Sequence, residues 1–149
     1  MADIKVNIFL VSRNLKMIQQ SAYAPIRKKT GLGQMDLQII FALSHFPVAA
    51  TVGSMHKHTG FNKGQISVCL AGLLKKGYLE KIDDKGNPFD SFVLSEKGKE
   101  IADNIDKNTA YGRKKLLKGF TPEEAKKAKE YLERILQNAR DLDGKIKFE

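Results

Sequence analysis

Apolar residues recur at helical spacing from the start of the chain, at Ile4, Ile8, Phe9, Val11, Leu15 and Ile18. A repeat of about 3.6 residues predicts an amphipathic helix over residues 3 to about 23. Pro25 has no amide proton to donate, so it is expected to end or kink that helix, and KKTGLG then reads as a linker. QMDLQIIFALSHF follows as a short helix with Met35, Leu37, Ile40, Phe41 and Leu43 mostly inward, and Pro47 comes after it. Thr51 is placed to cap VGSMHKHTG, since a hydroxyl there accepts from amides that the first turn leaves unpaired. Gly60 closes that helix in a short turn, Asn62 caps the next, and Gly77 stops it after about Lys76. The pattern then shifts to β-rich runs, YLEKI and FDSFVL, around the turn-forming DDKGNP, which predicts a hairpin.

Ser95 with Gly98 opens a long polar helix marked by Ile101, Ala102, Ile105, Leu116 and Leu117 and weakened by Gly112 and Gly119. The last helix has Thr121 as N-cap, Pro122 in its first position and Glu124 completing a capping box. Its stripe is Ala128, Tyr131, Leu132, Ile135, Leu136, Ala139 and Leu142. The expected fold is mainly α with a small β-hairpin, in one domain spanning residues 1–149. Two short helices around a tight glycine turn, followed at once by a hairpin, read as a winged helix-turn-helix lobe over residues 34–94. The outer segments, 3–30 and 95–143, carry amphipathic helices far apart in sequence. Their stripes are most simply buried against each other and a second copy, so these are expected to be dimerisation helices of a homodimer.

Charge narrows the partner. Lys and Arg number 26 against 17 Asp and Glu, a net charge of +9, which suits a polyanionic partner such as nucleic acid or an anionic membrane surface. A single cysteine excludes an intrachain disulfide and a cysteine-based zinc site. The beginning of the chain lacks the apolar core and cleavage site of a signal peptide, and no run is long enough to span a bilayer, so a cytoplasmic protein with no membrane partner is expected.

The helix after Asn62 carries the sharpest signal. With Ile66 at zero on a wheel of ~100° per residue, Cys69, Leu70, Leu73, Leu74 and Gly77 share its side. Gly64, Val68, Ala71 and Lys75 fall opposite, with Gln65 and Gly72 beside them and Ser67 at the border. One face is a clean core face. The other is small or weakly polar, as suits a helix entering a groove about 12 Å wide. A helix packed on a second protein element would show the same small residues.

In this order, TVGSMHKHTGFNKGQISVCLAGLLKKGYLEK, the turn-rich hairpin and LSEKGKEIAD resemble the MarR family of bacterial transcription regulators. GLGQMDLQIIFAL is similar to the helix that precedes the motif in that family, and FTPEEAKKAKEYLERIL to its last dimerisation helix. The resemblance implies a homodimer on a near-palindromic operator of double-stranded DNA, acting as a repressor. It also implies a cleft where small aromatic acids or other effectors bind. By position, Asn62, Lys63, Gly64, Gln65, Ser67 and Val68 occupy the reading end of the recognition helix. Gln65 suits adenine and Val68 a thymine methyl, while Asn62, Lys63 and Ser67 suit phosphates or sugars. Lys75, with Lys76, adds charge near the backbone, and Thr51 offers the amides of its capped helix to a phosphate. Two departures stand out. Val68 and Gly72 occupy positions where relatives often have arginine, and DDKGNPFD lacks the usual Asp-x-Arg of the wing. Only Lys85 and Asn87 remain there as DNA-seeking side chains, beside Asp83 and Asp84, so a weak wing contact is expected.

Other features carry less. His56 and His58 point about 200° apart on a helix and cannot share a metal. Cys69 on the core face reads as packing, not as a redox sensor. The RKK runs at 27–29 and 113–115 read as solvated faces able to touch flanking DNA. Phe9, Tyr23, Phe41 and Tyr111 could line an effector cleft, though such residues more often belong to core or interface. No catalytic constellation or nucleotide motif occurs at the required spacing, so neither enzyme activity nor a cofactor is expected. The rival reading is a winged-helix module that binds protein and no DNA, with the bare helix face as its docking site.

Overall fold

The computed structural model describes residues 7–46, 48–83, 85–142 and 145. Residues 3–6 of the expected first helix, Pro47, Asp84 of the expected turn and Asp143 lie outside the described residues. Among those described, six helices and one two-stranded hairpin follow in the expected order.

The first helix, α1 (Ile8–Thr30), runs through Pro25 instead of ending before it. This corrects both the expected boundary and the expected linker, since KKT forms the last helical turn. Proline forfeits one intrahelical hydrogen bond, but Tyr23 and Ile26 on either side of it are buried, with Leu32 just beyond. Burying side chains of that size contributes about 1.5–3 kcal/mol each, enough to hold the helix across the missing bond. The true stop is Gly31, whose φ of 72° is a left-handed conformation that glycine adopts without strain. Its N–H donates to the Arg27 carbonyl at 2.8 Å.

The helix α2 (Gln34–Leu43) is buried nearly all round, through Leu37, Ile39, Ile40, Ala42 and Leu43. Met35 and Phe41, expected inside, are half-buried against the core. Around α2 pack α3 (Val52–Thr59) with Met55 and α4 (Lys63–Lys75) with Ile66, Cys69, Leu70 and Leu73. Strands β1 (Leu79–Ile82) and β2 (Ser91–Leu94) pair antiparallel, with Leu79 opposite Leu94 and Ile82 opposite Ser91. Leu79, Phe92 and Leu94 close the core from that side. The second strand is shorter than FDSFVL suggests, so Phe89 lies outside it on the connecting loop. An unexpected bridge joins Ala50 to Phe92 through N–H···O bonds of 2.9 and 2.8 Å, tying the α2–α3 connection to the hairpin.

The helix α5 (Glu96–Leu116) starts where Ser95 Oγ accepts from the Gly98 N–H at 3.1 Å and donates to the Gly77 carbonyl at 2.6 Å. Gly98 is required by a close approach: a Cβ there would overlap the Tyr78 carbonyl oxygen. Ile101, Ala102 and Ile105 bury the inner face of α5, and Asn108 Nδ2 donates to the Ala22 carbonyl of α1 at 2.9 Å.

Residues 113–149 form the second of two compact units, the first being residues 1–112. Its helix α6 (Pro122–Leu142) begins with the expected capping box. Glu124 Oε2 accepts from the Thr121 N–H at 2.8 Å, and Thr121 Oγ1 accepts from the Glu124 N–H at 3.2 Å. Its stripe residues Tyr131, Leu132, Ile135, Leu136 and Leu142 are all exposed.

Candidate nucleic-acid interface

Both helices of the motif begin with side-chain caps. Thr51 Oγ1 accepts from the Ser54 N–H at 3.1 Å, and Ser54 Oγ accepts from the Thr51 N–H at 2.9 Å. α3 ends at Gly60, again left-handed at φ 72°. Across this turn His56 Nδ1 lies 2.7 Å from the Phe61 carbonyl, which can only accept, so Nδ1 carries the proton. Asn62 Oδ1 then accepts from the N–H groups of Gly64 and Gln65, at 2.8 and 3.4 Å. The cap leaves the Asn62 amide nitrogen as its outward donor.

α4 divides as the wheel requires. Ile66, Cys69, Leu70 and Leu73 are buried, whereas Lys63, Gly64, Gln65, Ser67, Val68, Ala71 and Lys75 are exposed. Val68 is 76% exposed. At Gly72 an added Cβ would meet nothing within 4 Å, so this glycine is not required by packing inside the chain.

Asn62, Lys63, Gly64, Gln65, Ser67 and Val68 thus gather at one helix end. Thr51 stands apart, half-buried at the start of α3. Lys75 lies at the far end of α4, about 15 Å along the axis from Gln65 at 1.5 Å per residue. Lys85 is exposed on the hairpin loop. Asn87 is half-buried there, and its Oδ1 accepts from the Phe89 N–H at 3.0 Å. That bond commits the Asn87 carbonyl oxygen, as the cap commits that of Asn62, and leaves the amide nitrogen as the donor.

Three exposed or recess-lining residues were not foreseen. Phe89, assigned to the strand by its neighbours, is 70% exposed on the wing. Met35 and Asp36 at the start of α2 join Gly64, Gln65, Val68 and Cys69 around a shallow, largely apolar recess beside the reading face. Asp36 accepts from the Gly33 N–H at 2.8 Å through Oδ2 and from the Cys69 thiol at 3.1 Å through Oδ1. Its capping role was visible in the spacing from Gly33. Its meeting with a cysteine on another helix was not.

Burial, and then the hydrogen bond to Asp36 and its negative charge, push the Cys69 thiol up to about 12, with Lys76 opposing. The thiol is neutral at physiological pH and poorly nucleophilic, as expected for a packing cysteine. His58 sits edge-on to Phe46 and His45 Nδ1 lies 2.7 Å from the Phe41 carbonyl. Among the described residues no cluster of three or more His, Cys, Asp or Glu could hold a metal ion. Of the aromatics offered for an effector cleft, Tyr23 is in the core, Phe41 is half-buried, and Phe9 and Tyr111 are exposed. The two RKK runs are exposed in the last turns of α1 and α5, where cations complement the helix dipole.

A half-buried helix pair, a tight turn, an exposed second helix and a paired hairpin define a winged helix-turn-helix protein. No protein-family model matches the chain, and no curated protein sequence matches it. Solved structures do, and their fold is the fold of MarR family transcriptional regulators. A MarR protein from Peptoclostridium difficile DA00132 superposes with a TM-score of 0.79 at 18% identity, over 99% of this chain and 96% of that one. A Listeria monocytogenes protein described as a MarR family transcriptional regulator, complexed with 26mer DNA, gives 0.76 at 19% identity, over 95% and 91%. The S. aureus MepR–DNA complex gives 0.74 at 14% identity, over 93% and 99%. At these identities the likeness establishes the fold. No helix among the described residues is long and apolar enough to cross a membrane.

Proposed function

We propose that this protein is a sequence-specific, DNA-binding transcription regulator that acts as a homodimer, with no enzymatic activity. The observation that carries the reading is the reading end of α4: small, exposed, uncrowded by the rest of the chain, and set in a chain of net charge +9. Two of the similar folds are complexes with DNA. Gln65 bonds adenine and Val68 touches a thymine methyl. Lys63, Ser67 and the Asn62 amide nitrogen hold phosphate or sugar, with Lys75, Lys85 and the amides behind Thr51 as outlying backbone contacts. Two such helices in a dimer meet half-sites one helical turn apart. Repression follows from occlusion of the operator. A small effector, aromatic acids included, would relieve it by favouring a helix spacing that no longer matches successive grooves.

A gel shift on duplex DNA across a salt series tests the reading. Six or more phosphate contacts should weaken binding roughly a thousandfold between about 50 and 200 mM salt. Absent or salt-independent binding would overturn it. One observation favours a second reading, a winged-helix module that binds protein. On the wing, Lys81 is held by Asp90 at 3.1 Å while the apolar Phe89 is exposed. The same salt series separates the two.

A further inference from the structure

The recess between α2 and α4 opens beside the reading face, and Gly64, Gln65 and Val68 belong to both. The side chains of Asp36 and Cys69 in it are already committed. The Cys69 thiol proton goes to Asp36 Oδ1, and Asp36 Oδ2 accepts from the Gly33 N–H. The cysteine is held neutral by burial and by that carboxylate. What remains to meet an incoming base edge is the apolar surface of Met35, Val68 and the backbone at Gly64, with the Gln65 amide at the rim.

Only one apolar group projects from base edges into the major groove, the C5-methyl of thymine. We infer that this recess is a thymine-methyl subsite: Met35 and Val68 clasp the methyl-bearing edge of a pyrimidine while Gln65 bonds a neighbouring adenine. This rests on the DNA-binding reading above and deepens it, bringing in Met35 from outside the recognition helix. At about 440 Å3 the recess exceeds one methyl group and accommodates the edge of the base that carries it. The missing arginine has a consequence here. An arginine at position 68 would reach for guanine, whereas valine leaves the recess open and steers the site toward A·T pairs.

The test replaces thymine by deoxyuridine, which keeps every base-pairing and groove hydrogen bond and removes only the methyl. A bound duplex is first selected from a random library, and each thymine is then exchanged singly. Wild-type protein should lose affinity roughly fourfold at one or two thymines per half-site, the loss typical of one buried methyl-sized group. In Val68→Ala and Met35→Ala the thymine-to-uracil ratio at those positions should fall toward one. Because the ratio is taken within each variant, a general loss of stability cancels. Uniform tolerance of uracil by a wild-type protein that binds the selected duplex overturns the subsite and leaves the regulator reading standing. A ratio unchanged in both variants also overturns it. Failure to select or shift any duplex overturns the regulator reading itself.

Discussion

A methyl group added at Gly98 and one added at Gly112 should move stability in opposite directions, although both lie within α5. Helix propensity alone favours alanine over glycine by about 1 kcal/mol at either position. At Gly112 the new Cβ would sit 3.7 Å from Ile18 Cγ2, an ordinary contact, so Gly112→Ala should stabilise by about 0.5–1 kcal/mol. At Gly98 it would overlap the Tyr78 carbonyl, a backbone atom that cannot swing aside. Gly98→Ala should therefore destabilise by about 1–3 kcal/mol or more. Urea midpoints of the two variants check the pair, and stabilisation by Gly98→Ala would mean that α5 and Tyr78 do not meet so closely. Cys69 gives a pH-dependent counterpart. Its folded thiol holds a proton up to about 12, above the unfolded value of about 8.5. The folded form is thus the better proton binder, so this contribution is fully present below about pH 8.5 and is lost as pH rises through the folded value. Wild type should lose more stability than Cys69→Val between pH 8 and 11. Burial also raises Tyr23, but that effect is common to both proteins and drops out of the comparison. Equal alkaline losses would remove the thiol as their source.

At the scale of elements, α4 was legible in the sequence because each of its signals is local. Asn62 caps it, Gly77 stops it, and its apolar residues fall on one side. Asn62→Ala should cost about 1 kcal/mol by uncapping the helix. Gln65→Glu, at an exposed position with no partner to lose inside the fold, should change stability little and weaken operator binding strongly. Thermal melts alongside gel shifts separate the two effects, and unchanged binding by Gln65→Glu would remove this face from DNA recognition. The capping box of α6 was legible for the same reason. What escaped depended on contacts between distant segments. Pro25 signals an end to α1 only if the helix is judged by itself, whereas Tyr23 and Ile26 are held by the core. The Ala50–Phe92 bridge pairs single residues and leaves no periodic trace. Phe89 continued a β-rich run, yet the Asn87 turn places it outside the strand. Of the candidate site, the division of α4 into a buried and an exposed face could be read from sequence. The recess could not, because Met35 and Asp36 reach it from another helix.

For the whole molecule, the apolar surface of the outer helices calls for a cover. Phe9, Leu10, Val11, Leu15 and Met17 on α1 are exposed, and so are Tyr131, Leu132, Ile135, Leu136 and Leu142 on α6. Soluble monomers rarely leave large apolar surfaces uncovered. Neither set contributes to the core built by residues 23–105, so a second copy can cover them without disturbing that core. Ile135 is 62% exposed in the single chain, and Ile135→Glu should leave the chain's own fold intact while placing a charge in the proposed dimer contact. Burying that charge unpaired is far more costly than exposing it, so the variant should sediment as one chain at micromolar concentration, where wild type should run at twice the chain mass. The change should reach DNA binding as well. A dimer presents its second reading helix at high effective concentration once the first is seated, and the monomeric variant loses that advantage. Its affinity for a two-half-site operator should fall toward its affinity for a single half-site, with circular dichroism unchanged. A wild-type protein that sediments as a monomer, or an Ile135→Glu variant that remains a dimer, would place the dimer contact elsewhere or remove it.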